Sequence, residues 1–386
     1  MPQTGFHFTA PPPLSLYVHL PWCARKCPYC DFNSHEARGD IPEDAYIAAV
    51  LADLEQDLPR VWGRTVRTVF IGGGTPSLFS PAAIERLLSG IHACLTVAPG
   101  AEITLEANPG SVELGRFRGY RAAGVNRLSI GIQSFDAAKL TALGRIHGPE
   151  EALTAAAAAR AAGFENFNLD LMFGLPGQTV EQALTDVATA IRLEPAHLSV
   201  YQLTLEPNTY FHRYPPPLPD DEAIWDMQQR IVPALAEAGF GQYEVSAYAR
   251  AGQECRHNLN YWRFGDYLGL GAGAHAKLSS AEEIVRLWKI KQPAAYLAGA
   301  GTPAILGGEQ ILSAHDAALE FMLNALRLTA GFAPSLFAER TGLPLTEVGD
   351  SLRRAQAQGL IAQDEHQIRP TERGRRYLNN LLEHFL

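Results

Sequence analysis

No run of about 18 consecutive apolar residues occurs anywhere in the chain, so a membrane-crossing helix of ordinary length is excluded. The first thirteen residues, closing on Pro11-Pro12-Pro13, have neither a basic start nor an apolar core and argue against a secretory leader. Positive charge is not in surplus. Lys and Arg number 32 against 41 Asp and Glu, a formal charge of −9, which argues against a nucleic-acid backbone as the principal partner. Cysteine is scarce, with five in 386 residues. Without a leader, that usage points to a reducing compartment and away from disulfides. These absences together predict a soluble, cytoplasmic protein. Homodimerisation and peripheral association with the inner membrane both stay open. What is present is ordinary for a well-filled core: 47% apolar and 19% charged residues, in a chain long enough for one large domain and one or two small ones.

Three of the five cysteines lie close together, in Cys23-Ala24-Arg25-Lys26-Cys27-Pro28-Tyr29-Cys30, directly after the alternating apolar run Leu14–Leu20. A loop at the mouth of a strand can deliver several thiolates to one point. Iron–sulfur cubanes are usually held by four thiolates. Here the next candidate position, two residues past Cys30, is Phe32, which leaves one iron for a non-protein ligand. The alternative is a Cys3His zinc site that adds His19 or His35, since Cys-x2-Cys at 27 and 30 is ordinary zinc spacing. The three-then-two spacing resembles the radical S-adenosylmethionine (SAM) superfamily. The resemblance implies a [4Fe–4S] cluster on Cys23, Cys27 and Cys30, whose open iron is chelated by the amino and carboxylate groups of the SAM methionine moiety.

Further along, strands and helices alternate. Strands are expected at 66–71, 103–107, 127–133, 167–173 and 198–205, with helices at 42–58, 81–95, 150–162 and 179–193. With the first strand this makes six strand–helix alternations in roughly 220 residues, the pattern of parallel βα units. The fold class is α/β, and the resemblance implies a partial six-unit (β/α) barrel whose chemistry sits at the C-terminal ends of its strands. Pro215-Pro216-Pro217 marks the barrel exit. Three parts are expected: 1–215 the barrel with cluster and SAM sites, 216–305 an extension, and 306–386 a small α+β, winged-helix-like module.

The polar residues with chemical promise sit where strands are expected to end. Gly72-Gly73-Gly74-Thr75-Pro76 lets backbone approach a ligand without Cβ interference, or is simply a tight turn. Glu106 can accept from an amino group or ribose hydroxyls. Gln133, Arg145 and Asp170 are assigned to three more strand ends, where buried polar groups need partners. Arg145 can fork a carboxylate and Asp170 can hold a ribose; a closed Arg–Asp pair is the bland alternative.

Taken in order, these motifs resemble the oxygen-independent coproporphyrinogen III dehydrogenase family and its relatives, over nearly the whole chain. The resemblance implies cluster or SAM contacts at Tyr17, Cys23, Cys27, Cys30, Gly73, Gly74, Thr75, Glu106, Gln133, Arg145 and Asp170, with Tyr29 packing on the adenine. Within that family the dehydrogenase proper has a fourth loop cysteine, where this chain has Phe32, and a longer segment before its first cysteine. His257-Asn258-Leu259-Asn260-Tyr261-Trp262 resembles a motif of the haem-chaperone branch. The expected function is therefore haem binding and delivery to acceptor haemoproteins, with His257 the candidate haem ligand. The alternatives are the dehydrogenase reaction, or for the motif itself a plain polar loop. Gly269-Leu270-Gly271-Ala272-Gly273-Ala274 fits a dinucleotide-binding pattern on paper. It is set aside because it is read as following a loop, with no acidic residue about twenty positions on. Cys94 and Cys255 read as a buried helix thiol and a loop thiol, with no role.

Overall fold

The structure, a computed structural model, describes residues 5–386. The first four residues, which the leader expectation includes, lie outside it. Six parallel strands carry the barrel: β1 (Leu14–Leu20), β2 (Thr65–Gly73), β3 (Thr96–Ala107), β4 (Arg127–Gln133), β5 (Asn166–Phe173) and β6 (His197–Gln202), hydrogen bonded in that order. The helices between them are α1 (Glu43–Asp57), α2 (Pro81–Cys94), α3 (Ser111–Ala122), α4 (Ala137–Ala142), α5 (Pro149–Ala161) and α6 (Val180–Arg192), with α7 (Asp221–Glu237) following β6. Local sequence dictates their starts. Ser80 accepts from the amide of Ala83 with Pro81 in the first turn of α2, and Thr179 with Gln182 forms a capping box on α6.

Alternation along the strands decides what the barrel contains. In β4, Leu128, Ile130 and Ile132 are fully buried in the main apolar core, while the intervening Ser129, Gly131 and Gln133 line an internal pocket. The same two-residue period separates Leu16 and Val18 from Tyr17 and His19 in β1, and Leu169 and Leu171 from Asn168 and Asp170 in β5. A strand with apolar residues toward its helices and polar residues toward the axis builds a hollow, polar-walled interior.

The sheet continues past the six units on both sides. A hairpin, β7 (Gly241–Glu244) and β8 (Ala247–Ala249), adds antiparallel to β6. Beyond β1 lies β9 (Asp266–Leu270), a seventh parallel strand, then antiparallel β10 (His275–Ser279), β11 (Ile284–Lys289) and β12 (Leu306–Ile311). The resulting order of twelve strands begins at β12 and ends at β7, which do not pair with each other. Among the described residues the barrel is therefore partial, as its six units imply. Strand β12 is exposed along most of its length, with its Glu309 paired to Arg60 at 2.9 Å.

Several sequence expectations change here. Strand β3 starts at Thr96, seven residues earlier than expected, because Thr96 and Val97 pair with Thr65 and Val66. Strand β9 was hidden by its glycine and its short length. The glycine-rich run after it follows a strand after all, but it leads into antiparallel β10 and not into a helix, so the dinucleotide reading fails on topology. The His257–Trp262 stretch is a helix, α8 (Arg256–Trp262), not a polar loop. Cys94 is only half-buried, whereas Cys255 is fully buried.

The C-terminal residues form helices Ala314–Ala325, Pro334–Thr341 and Gly349–Ala357, the hairpin Ile361–Gln363 with Ile368–Pro370, and two short closing helices. Three helices precede the hairpin and two follow it, which gives the small α+β module expected. Their core gathers around Phe321, whose ring meets Phe332, Phe337 and Phe264 at centroid distances of 4.9, 5.0 and 6.0 Å. Phe264 belongs to the segment between α8 and β9, and Phe6 joins the same cluster. The module is thus fastened to the barrel by shared apolar packing.

Candidate cofactor-binding site

After β1 the chain turns over the open end of the barrel and carries the cysteine loop. His35 donates its amide to Pro21 O at 2.7 Å and Ala37 to Cys23 O at 2.9 Å, closing the loop on itself. Asn33 fixes it to the sheet, its side-chain amide donating to Ala272 O and Lys291 O at 2.9 Å each. This explains the glycine-rich run. A Cβ on Gly273 would lie 2.3 Å from the Asn33 amide nitrogen, and one on Gly271 2.4 Å from His19 O. The glycines seat the cysteine loop. Cys23 is buried, Cys27 and Cys30 are half-buried, and all three are free thiols. Burial raises Cys23 and Cys30 above the ordinary thiol range, opposed at both by a hydrogen bond from Ser34. Phe32, where a fourth cysteine would stand, is 61% exposed at the rim.

The two histidines of the zinc alternative are engaged by the loop itself. His19 has both ring nitrogens engaged, Nδ1 with Tyr17 Oη and Nε2 with Asn33 O at 2.8 Å each, and His35 Nε2 lies 3.1 Å from Asn33 Oδ1. Among the described residues no three His, Cys, Asp or Glu side chains gather closely enough for a single metal ion.

Below the loop lies a pocket of about 150 Å³ walled by the three cysteines and Tyr29 on one side, and by Gly73, Gly74 and Thr75 on another. Its floor holds Glu106, Gln133, Arg145 and Asp170. The glycine turn is pinned to the cysteine loop: Gly74 donates to Leu20 O at 2.9 Å and Thr75 to Trp22 O at 2.7 Å. A Cβ on Gly74 would meet Trp22 O at 2.5 Å, and Gly73 has a φ of +118°. Both positions require glycine.

Glu106 accepts from the Gly73 amide at 3.1 Å. Burial, reinforced by the neighbouring Asp170, pushes its pKa up to about 7. Burial raises Asp170 as well, against hydrogen bonds from Asn168 (2.8 Å) and Ser129 (3.2 Å). Asp170 lies within β5, not at its end. Arg145 is also not at a strand end: it lies in the loop after α4, and its guanidinium reaches Asn108 Oδ1 and Gly131 O at 2.7 Å each. Its other Nη donates to Cys27 Sγ at 3.7 Å, and its Nε is buried with no hydrogen-bond partner. The closed Arg145–Asp170 pair does not form. Gln133 ends β4 in the left-handed region, φ +68°, and accepts from Tyr201 Oη at 2.8 Å. A side-chain-bearing residue held there is strained backbone of the kind concentrated at binding sites.

Tyr17 lies deeper, in a second cavity of about 680 Å³ that shares Gly73, Glu106, Ser129, Asp170 and Phe32 with the first. Its other wall is α8, with His257, Tyr261 and Trp262. His257 is 1% exposed, and both ring nitrogens are engaged: Nδ1 with Thr68 Oγ1 at 2.8 Å, Nε2 with Tyr261 Oη at 3.2 Å. Burial, then the Arg127 charge, pushes its pKa down to about 3, so the imidazole is neutral. Thr68 Oγ1 donates onward to Ser15 Oγ, which assigns the His257 proton to Nδ1 and leaves a lone pair on Nε2. Sequence reasoning missed Tyr201, Asn108 and His275, which also line these cavities. Asn108 and Tyr201 lie at or just after strand ends, a signal that was available.

Comparison with known proteins agrees with this geometry. The radical SAM superfamily profile matches residues 17–189, and that of the HemN C-terminal domain matches residues 312–377. Heme chaperone HemW of Escherichia coli is 50% identical over 376 residues, covering 97% of this chain and 98% of the relative. The chain belongs to the HemW family. HemW of Haemophilus influenzae is likewise 50% identical, with 97% and 98% covered, and HemW of Bacillus subtilis is 34% identical, with 96% and 99% covered. Among solved structures, coproporphyrinogen III oxidase (HemN) from Escherichia coli superposes with a TM-score of 0.82 at 25% identity, covering 97% of this chain and 90% of its own.

Proposed function

We propose that this chain is a haem chaperone that binds a [4Fe–4S] cluster, SAM and haem, and passes haem to acceptor haemoproteins. Cys23, Cys27 and Cys30 are the cluster ligands in this reading. When bound, the cluster supplies an iron that chelates the SAM methionine moiety. The residues present fit such a ligand. The pocket has two buried carboxylates, Glu106 and Asp170, with raised pKa values and no salt bridge among the described residues, so a cationic amino group or sulfonium would favour their ionised forms. The Gly73–Thr75 backbone gives close approach, Arg145 is placed to meet a carboxylate, and Tyr29 supplies an aromatic face. Gln133 and Tyr17 complete the wall.

The observation that carries haem binding is the larger cavity, about 680 Å³, with neutral His257 between the rings of Phe70 (5.1 Å) and Tyr261 (4.9 Å). Its Nε2 lone pair becomes available for iron if Tyr261 swings aside. The names of the HemW relatives support the same reading.

The test is a haem titration of the anaerobically reconstituted protein, read as Soret absorbance, beside His257→Ala. Saturable, near-stoichiometric binding that weakens in the variant supports the proposal. Unchanged binding in the variant moves the ligand elsewhere. No saturable binding, together with anaerobic conversion of coproporphyrinogen III, would replace the chaperone by the dehydrogenase.

A further inference from the structure

The floor helix α8 has two faces. His257, Asn258, Tyr261 and Trp262 face the barrel cavity, while Arg256, Leu259, Asn260 and Arg263 face outward, into a separate cavity of about 350 Å³ at the opposite end of the barrel from the cysteine loop. Arg67, from the start of β2, and Arg340, from the C-terminal module, close on the same space. Ser15 and Thr68 form its inner wall, with the backbone of residues 98–101 on one side. Four arginines therefore line one cavity, and no aspartate or glutamate lines it. In a chain of net charge −9 this is a local reversal of sign.

Ion pairing accounts for little of this grouping. The side chains of Arg67 and Arg263 have no hydrogen-bond or ion-pair partner among the described residues. The Nε of Arg340 is buried and has no hydrogen-bond partner. Arg256 donates to Gly100 O at 2.7 Å, and its contact with Glu102 is long, 4.0 Å. The nearby Asp266 is committed elsewhere, to Arg64 at 2.8 Å and Lys277 at 3.0 Å. Burial lowers Arg340 below the ordinary guanidinium range; Glu339 and Asp266 oppose this, and Arg263 and Arg67 add to it. Cations from three separate parts of the chain thus converge with only the long Arg256–Glu102 contact as an ion pair among them, and an anionic ligand would relieve their mutual repulsion.

We propose that this basal cavity is a binding site for a phosphate-bearing anion. Guanidinium forks match phosphate oxygens in bidentate geometry. Several forks around one space favour a ligand with two or more negative charges over a single carboxylate. Ser15, Thr68 and Asn260 supply neutral hydrogen-bonding groups at its inner wall. The ligand is a soluble phosphate compound or the headgroup of an anionic phospholipid, and the experiment separates the two.

Pyrophosphate is titrated calorimetrically into the full-length, cluster-loaded protein at constant ionic strength. In parallel, the protein is sedimented with vesicles of phosphatidylcholine alone or of phosphatidylcholine with phosphatidylglycerol. Arg67→Ala and Arg263→Ala are run in both arms. Both side chains are exposed and unpartnered, so the variants keep the fold, and circular dichroism checks this. The expected result is one-site binding weakened about tenfold or more by each substitution, with Arg263→Lys intermediate. Saturation by pyrophosphate identifies a soluble ligand. Capture by phosphatidylglycerol vesicles alone, lost in the same variants, identifies a headgroup. No saturable binding in either arm, or binding that both alanine variants retain, overturns the proposal.

Discussion

The backbone amide of Gly73 donates to the Glu106 carboxylate at 3.1 Å, across the gap between neighbouring strand ends. It is the hydrogen bond that most lowers the Glu106 pKa, and it does not offset burial and Asp170. The pocket therefore holds a carboxylate, half-protonated near neutrality, whose ionised form a bound cation would favour.

Replacing Glu106 by Gln should separate stability from binding. Folded Glu106 titrates at about 7 against an ordinary value of 4.5. The unfolded chain releases this proton first, so stability declines as pH rises between those values. Glu106→Gln removes that decline. Its denaturant midpoint should exceed that of the parent at about pH 8 by the equivalent of about 3 kcal/mol, with the gap closing by about pH 4. SAM affinity should fall in the same variant. A variant less stable than the parent at both pH values would show that the carboxylate is not strained.

The same titration predicts how ligand binding responds to pH. A cationic ligand needs Glu106 ionised, so SAM affinity should drop as pH falls below about 7, with a limiting slope of about tenfold per unit. Calorimetry in two buffers of different ionisation enthalpy should detect proton release on binding near neutrality. A flat affinity profile from about pH 6 to 8 would count against the carboxylate as a ligand contact.

Gly74→Ala puts a Cβ against Trp22 O and the Pro21 carbonyl, at 2.5 and 2.8 Å. Both are backbone atoms, and the loop is held there by the Gly74 and Thr75 amides. The substitution should cost about 3 kcal/mol and displace the cysteine loop. Reduced iron content after reconstitution would accompany the lowered midpoint. A parent-like midpoint with full iron loading would contradict the close approach.

Single alanine substitutions at Cys23, Cys27 or Cys30 should sharply reduce iron and sulfide after anaerobic reconstitution, whereas Cys94→Ala should keep both. Loss of iron in the Cys94 variant, or retention in all three loop variants, would place the cluster elsewhere.

Asp266 holds a buried network: Arg64, Lys277 at 3.0 Å, and both the amide and hydroxyl of Ser279. Lys277 is 1% exposed. Asp266→Asn leaves it without a counter-charge and should destabilise the chain by about 3–5 kcal/mol, measured by urea unfolding. Pairing Asp266→Asn with Lys277→Met should recover part of the loss.

The parallel units and the pocket were legible because their signals are local. Strands β2, β4 and β5 show period-two alternation, and Cys23, Gly73, Glu106 and Gln133 each sit at or near a strand end, where a (β/α) barrel collects its polar groups. Arg145 was misplaced because it belongs to a loop whose course is set by contacts with Asn108 and Gly131, far away in sequence. Strand β9 escaped notice because it is short and Gly269 weakens its propensity, and pairing with its neighbours β1 and β10 holds it extended. The arginine cavity was invisible for a similar reason: Arg67, Arg256, Arg263 and Arg340 are spread over more than half the chain and meet only after folding.

On one side the sheet stops at β12, and the chemistry of that edge bears on what can add to it. An unpaired strand edge invites a second molecule to add to it. Here the edge carries Glu309, which Arg60 orients, beside two glycines lying under the ring of Trp288, where a Cβ on Gly308 would be 2.1 Å from the ring. An antiparallel encounter centred on Glu309 brings two carboxylates face to face, and the glycines give the approaching strand no side chains to interdigitate with. The middle of this edge thus offers an approaching strand one charge and little to interdigitate with, while Leu306 and Ile311 stand exposed at its two ends.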